Sequence, residues 1–375
     1  MTGTPTEEVP ASPGARKALA RRLRALLTLD ASADARDAFL ADLAAWQAVR
    51  VPAYGRLVDR RGAGVALPTD VFRHARIAAH PAAEDQRVFR TSGTTHGARG
   101  AHPLRTADAY TRAALTWAAA LLFPDGRPLR LVALLPTEAE APDSSLAFMV
   151  ARFGERFGPL TTVWRAGELD AAALRSALEQ AAADEHAVAL LGTSFAFVHA
   201  EERLGAWRVA LPPGSRLMQT GGFKGRSREV APEALRRALA RRYGLPESHI
   251  IGEYGMTELG SQAYEGCLAD ALAGRPPKPR RYRFPPWVRV SLADPETLAP
   301  AAGVGLLRVD DPVNLDSVAF VQTSDLASIE AGEVVLHGRA PGAQPRGCSL
   351  AVEEALADAD ASWRPAPGGA SEDAP

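Results

Sequence analysis

Leu, Ala and Trp46 recur at helical spacing over residues 17–29 and again over 33–49, with Asp30 available to cap the second segment. The pattern then alternates. Short apolar runs read as strands: "LRLVALLP" (129–136), "AVALLG" (187–192), "SRLMQT" (215–220) and "HIIGEY" (249–254). Helical patterns fall at 106–122, 145–157, 169–184, 194–206 and 230–243. This alternation predicts an α/β fold: a mainly parallel sheet flanked by helices, with ligands at the strand ends and the loops that follow them. After about residue 285 the texture changes to short strands with turn signals, "WVRVSL", "GVGLLRV", "VAFVQT" and "GEVVLHG". These predict a small antiparallel or barrel-like β subdomain on the α/β body. Residues 1–15 and 364–375 are Pro/Gly/Ser-rich and read as disordered tails. The division expected is an α/β domain over 16–330 and a short C-terminal remnant over 331–363, with no internal repeat.

Composition narrows the function classes. The chain has 375 residues, 46% of them hydrophobic, enough for a large core. A formal net charge of -1 argues against a dedicated nucleic-acid surface. Two cysteines, Cys267 and Cys348, allow neither a disulfide framework nor a thiolate zinc site. No hydrophobic run reaches the length of a membrane span, and "MTGTPTEEVPASPGARK" lacks the basic-then-apolar layout of a secretory signal. The expected address is the cytoplasm.

The candidate chemistry begins at "VFRTSGTTHGARGAHPLRT" (88–106), where a run of glycines and hydroxyls, Thr91 to Gly100, separates two extended segments. Successive glycines and small hydroxyls let backbone N–H groups and Oγ atoms point into one concavity, which suits phosphate oxygens. Arg99 adds a permanent positive charge. A flexible hairpin loop rich in turn formers is the other reading of the same residues. The stretch is not a Walker loop, because no Gly-Lys-Ser/Thr follows and both flanks read as strands.

A second stretch, "IIGEYGMTELGSQAY" (250–264), follows a strand directly. Tyr-Gly-Met-Thr-Glu, about 160 residues after Thr-Ser-Gly-Thr-Thr, resembles the paired signatures of the adenylate-forming superfamily: acyl-CoA synthetases, luciferases and peptide-synthetase adenylation domains. Two weaker matches follow in the same order, "VQTSDLA" around Asp325 and "LHGRAPG" around Arg339. "LLGTSFAFVHA", "QTGGFKGRSRE", "FPPWVRVSLADPETLAP" and "RGCSLAVEEAL" resemble the acyl-protein synthetase family, whose named member is the long-chain-fatty-acid–luciferin-component ligase of bacterial bioluminescence operons. The resemblance runs over roughly residues 50–356. The first signature departs from the superfamily pattern at His96, where glycine is usual, and at Arg99, where lysine is usual.

The resemblance implies ATP and Mg²⁺ as cofactors and a carboxylic acid, a fatty acid in the named member, as substrate. It implies that Thr91, Ser92, Gly93, Thr94 and Thr95 hold the β- and γ-phosphates, that Thr257 contacts the α-phosphate, and that Glu258 holds Mg²⁺. Tyr254, followed by Gly255, would cover the adenine face, and Gly221–Gly222 would let the purine approach the backbone. Asp325 would accept from both ribose hydroxyls, with Arg339 near ribose or phosphate. Without the resemblance, Asp325 reads as a strand-end turn residue and Glu258 as a solvated helix start. Lys224 reads as a phosphate contact or a solvated loop lysine, and Phe195 and Phe197 as acyl-pocket lining or core. His102, His199 and His337 lack metal-ligand spacing and read as structural.

Superfamily members usually carry a small C-terminal domain whose lysine serves the acyl-adenylate. Only 36 residues follow Arg339, and Pro341-Gly342-Ala343 stand where hinge residues are expected, so that full domain is not expected here. In the luciferin-component ligases the acyl group passes to a cysteine near the C-terminus and then to a partner reductase. Cys348 occupies a comparable place, with Arg346 available to favour its thiolate and Gly347 to give access. Cys267 reads as an incidental loop residue. The expected function is acid activation by ATP and transfer to a protein thiol, with a reductase or carrier protein as the acyl-accepting partner. The alternatives are transfer to CoA, as in the phenylacetate-CoA ligase branch, and a nucleotide-binding partner subunit without catalysis.

Overall fold

The computed structural model describes residues 13–92, 99–165, 167–221, 230–340 and 346–357. The two expected tails lie outside those residues except for 13–15, as do Gly93, Thr94, Thr95, His96, Gly222 and Lys224. The fold is mixed α/β, with one large sheet and helices on its faces. No described helix is long and apolar enough to cross a membrane.

The parallel half of the sheet is built from the four runs read as strands, with boundaries within a residue or two: Arg130–Leu134, Val188–Thr193, Arg216–Thr220 and Ile250–Tyr254. Leu160–Thr162 adds a short parallel edge. Because both faces are covered, these strands are apolar on both sides. Leu131, Ala133, Ala189, Leu191, Met218 and Ile251 face the larger core, with helices Asp108–Leu121 and Ser145–Phe157. Val132, Leu190, Leu217 and Ile250 face a second core, with helices Ala171–Ala183, Ser194–Leu204 and Pro232–Tyr243.

The late strands Arg289–Ala293, Val304–Asp310, Phe320–Glu330 and Glu333–Arg339 pair antiparallel, as their turn-rich texture predicts. They join the parallel half through two very short strands, Ala263–Glu265 and Tyr282–Arg283, so the backbone ladder is continuous across both halves. Leu67–Pro68 adds a parallel partner to Phe320–Glu330.

The helix Ala33–Arg50 begins where expected, but its cap is Ser32, whose Oγ accepts from Ala35 N at 3.2 Å. Asp30 stands two residues too early to reach the first free N–H groups. This helix and Pro52–Arg61 lie on late parts of the chain. Gln47 Nε2 donates to the carbonyls of Asn314 (2.8 Å) and Leu315 (3.1 Å), and Arg56 Nε donates to the carbonyl of Ala355 (2.8 Å) in the helix Arg346–Leu356.

Candidate active site

The first signature is carried by a two-stranded hairpin, Arg87–Arg90 paired with Ala101–Leu104, so both flanks of the glycine-rich loop are extended as expected. Its base is tied on three sides. Thr91 N donates to Gly100 O at 2.9 Å, and Gly100 N donates to Thr91 Oγ1 at 2.9 Å. Arg99 Nε donates to Thr91 O at 2.6 Å, and its guanidinium pairs with Asp143 at 2.6 Å. Arg99 is therefore not a free cation awaiting phosphate. It is a partly neutralised clasp, because Asp143 lies beside the loop and its backbone carbonyl also takes Arg90 N. Ser92 lies at the edge of the described segment, and Gly93, Thr94 and Thr95 lie beyond it.

The second signature leaves the C-terminal end of the strand Ile250–Tyr254 and is pinned from beneath. His102 Nδ1, on the hairpin, lies 2.7 Å from Thr257 O. Asn314 Nδ2 donates to Glu258 O at 2.8 Å. The fully buried Asp311 takes Gly260 N (2.9 Å) and Ser261 N (2.7 Å) on one oxygen, and Ser261 Oγ (2.8 Å) and Val313 N (3.0 Å) on the other. Burial pushes the Asp311 carboxyl up and its four donors oppose that shift. Trp287 Nε1 completes the cluster by donating to Ser261 Oγ at 3.1 Å. Thr257 and Glu258 are thus presented by a backbone whose buried polar groups have partners. Glu258 is itself buried rather than a solvated helix start.

On one face of the strand, Tyr254 OH donates to Asp325 Oδ2 at 2.8 Å, and Arg339 Nε lies 3.5 Å from Asp325 Oδ1. Three of the matched segments therefore meet. Asp325 is not at a strand end but within Phe320–Glu330, opposite Arg339 and beside a register shift at Leu326/Ala327. The irregular ladder there leaves the carboxylate partly exposed, at 18%. The Tyr254 ring packs edge-on against Tyr282 and Phe284, and burial raises its hydroxyl well above the ordinary value. At the end of the neighbouring strand, Gly221 has φ +68°, and no atom of a described residue lies within 4 Å of where a β-carbon would stand. Ser194 Oγ fixes it by donating to Gly221 O at 2.8 Å.

The opposite face carries a residue that the sequence reading passed over. Glu253 is buried, receives a hydrogen bond from Thr220 Oγ1, and is pushed up to about 7, mainly by burial. A side chain at Gly255 would overlap its carboxylate. Gln262 lies against the same glycine, and its buried Oε1 has no partner among the described residues. A carboxylate inside an apolar strand run was the available signal.

Other candidates fall elsewhere. Phe197 is fully buried in the second core, while Phe195 is half-buried and stacked on His199 at 6.3 Å. His337 Nε2 lies 2.9 Å from Ser328 Oγ. Cys267 opens the helix Cys267–Leu272 rather than sitting in a loop, and burial pushes its thiol up to about 11. Cys348 lies in the first turn of Arg346–Leu356 at 1% exposure, and its thiol is likewise pushed up to about 11 by burial. Arg61 favours ionisation of that thiol and Asp70 opposes it. The expected activation of Cys348 is absent in this packing because the thiol faces the protein interior. Two open clefts, of about 890 and 780 Å³, lie at the antiparallel end, and Tyr254, Thr257, Glu258, Asp325 and Arg339 are not among their lining residues.

No family model and no curated protein matches the chain. Among solved structures, the chain is similar to the N-terminal domain of FACL13 from Mycobacterium tuberculosis: 18% identity, 70% of this chain, 64% of that one, TM-score 0.45. It is similar to O-succinylbenzoate coenzyme A synthetase (MenE) from Bacillus subtilis in complex with AMP: 16% identity, 67% of this chain, 49% of that one, TM-score 0.44. It is also similar to a long-chain-fatty-acid–CoA ligase (FadD1) from Archaeoglobus fulgidus: 15% identity, 68% of this chain, 51% of that one, TM-score 0.46. The chain spans about half to just under two thirds of the length of these structures.

Proposed function

We propose that the protein is an ATP-dependent acyl-activating enzyme that forms an acyl-adenylate from a carboxylic acid. The observation that carries this reading is the convergence of segments far apart in sequence. The hairpin of the first signature touches Thr257 of the second through His102, and Tyr254 of the second touches Asp325, itself beside Arg339. A parallel sheet presents ligands at the strand ends where this convergence occurs.

The chemistry asks for charge shielding rather than a strong base. A carboxylate oxygen attacks the α-phosphorus, the bond to the β-phosphate oxygen breaks, and pyrophosphate leaves. Thr257 donates to the α-phosphate as negative charge accumulates. The Gly221 backbone, which no described side chain crowds, and the Tyr254–Asp325 pair fit a nucleoside, with Asp325 accepting from the ribose hydroxyls. No group of three or more His, Cys, Asp or Glu side chains is placed to hold a metal ion among the described residues. Mg²⁺ would accordingly be held by Glu258 with phosphate oxygens and water, and would supply neutralisation of the triphosphate. The adenylate then passes its acyl group to a thiol sulfur, releasing AMP.

That acceptor is a protein thiol or CoA. For Cys348 to serve, the helix Arg346–Leu356 has to leave its seat, since the thiol is buried there. Burial of Cys348 favours an external thiol as the acceptor in the packed form. The reading is tested by carboxylate- and Mg²⁺-dependent ATP–pyrophosphate exchange. Glu258→Gln should lower the exchange by on the order of 10²-fold or more while the protein remains folded. Unchanged exchange in that variant sinks the assignment.

A further inference from the structure

We propose that His102 is a positioning residue: its Nδ1–H holds the carbonyl of Thr257 and so fixes the distance between the glycine-rich hairpin and the Tyr-Gly-Met-Thr-Glu loop. The inference rests on the adenylation reading above. It deepens that reading by naming the group that aligns the two signatures.

Thr257 O is a carbonyl, so the proton of the 2.7 Å contact belongs to His102 Nδ1, and the ring donates. The tautomer follows. In the neutral ring Nε2 carries a lone pair, and this nitrogen is buried without a partner among the described residues. Protonating it would place a second N–H where no described residue accepts a hydrogen bond from it. Burial accordingly holds the imidazole down to about 4, so the donor stays on Nδ1 across the working pH range. Ring orientation is set from two sides. Phe72 packs edge-on against it at 5.6 Å, and its backbone lies in the ladder opposite Phe89.

The placement gives this bond its effect. Asn314 and Asp311 anchor Glu258, Gly260 and Ser261 from the segment 311–314. His102 reaches the same loop from the strand that leaves the first signature, three residues beyond the Arg99 clasp. One end of the tether is therefore continuous with the phosphate-side loop and the other with Thr257. Loss of the tether removes the side-chain donor to the partly buried Thr257 O and frees this part of the loop to shift. Displacements of about 1 Å in a site that works by alignment cost on the order of 10²-fold in rate.

The test separates the Nδ1–H from simple filling of space. In His102→Asn the amide nitrogen is attached to Cγ, as Nδ1 is, and it can reach the carbonyl. In His102→Gln the nitrogen lies one bond further out, and His102→Phe has none. Exchange kcat/KM should fall by about 10²-fold in the Gln and Phe variants, and Asn should restore it to within about threefold. Circular dichroism and thermal unfolding identify which variants fold. Long-range ¹H–¹⁵N NMR of the histidine-labelled wild type should show a neutral ring protonated at Nδ1. A ring protonated at Nε2, or folded Gln and Phe variants with wild-type exchange, overturns the inference. So does an Asn variant as slow as Gln. Failure of the adenylation reading looks different: the wild type itself would show no carboxylate-dependent exchange, and the coupling would fall with it.

Discussion

Glu253→Gln should flatten the pH dependence of folding stability, and the size of the effect can be worked out from the structure. The carboxyl is 6% exposed, and its only hydrogen bond among the described residues comes from Thr220. Burial lifts it from 4.5 to about 7. A carboxyl raised in this way keeps its proton in the folded state after the unfolded chain has released one. Stability is therefore full below about 4.5, falls as the pH rises to about 7, and levels off above that. At about 1.4 kcal/mol per pH step the loss is about 3 kcal/mol, an order-of-magnitude figure for a buried group. Glutamine has nearly the same shape and no proton to lose, so it removes this dependence. Urea unfolding of both proteins at pH 5 and pH 8 gives the comparison: a variant more stable by about 1 kcal/mol at the lower pH and by about 3 kcal/mol at the higher. Parallel pH profiles would refute the reasoning. A wild type more stable than the variant at pH 8 would show that the carboxylate is compensated.

Asp325→Ala should weaken ATP binding by about 2 kcal/mol in titration calorimetry, since it removes a charged acceptor from the ribose side. Unchanged affinity would leave Asp325 as a structural partner of Tyr254 and Arg339. In a Cys267→Ser background, Cys348 should react with a disulfide reagent slowly at pH 8, where a thiol held at about 11 is about one part in a thousand thiolate. Arg61→Ala, which removes the pairing to Glu354, should speed the reaction by loosening the helix; rapid stoichiometric labelling of the parent at pH 7 would contradict the burial.

The parallel half of the fold was legible because strands covered on both faces are continuous apolar runs, and each lies within a residue or two of its predicted place. The two connecting strands, Ala263–Glu265 and Tyr282–Arg283, carry no pattern, since two or three residues cannot show a period. Chemistry followed the same divide. Motifs single out Asp325 and Thr257 as candidates, but the strand position of Asp325 depends on a register that no local signal encodes. His102 lacks metal-ligand spacing and so reads as structural, and its partner, a backbone carbonyl 155 residues away, leaves no local signal. Asp311 and Asn314 likewise bind backbone groups, although the turn-forming stretch "DDPVNLD" that carries them offered a hint. At Cys348 the neighbours in space differ from the neighbours in sequence: burial dominates, Arg61 comes from the end of Pro52–Arg61, and Asp70 comes from the start of the separate helix Val71–His74.

The seating of the early helices has a consequence for synthesis. Arg16 pairs with Asp316, Gln47 bonds to Asn314 and Leu315, and Arg56 and Arg61 grip the helix Arg346–Leu356. Each partner is translated roughly 270 to 300 residues later. At about 5–20 residues per second, the helices Ala33–Arg50 and Pro52–Arg61 wait for tens of seconds on the ribosome with an apolar face uncovered. The parallel strands and their helices can pair during that interval, because their contacts are closer in sequence. Nascent chains of this protein should therefore carry a protected middle and an open beginning, and the beginning is where a holding chaperone would engage.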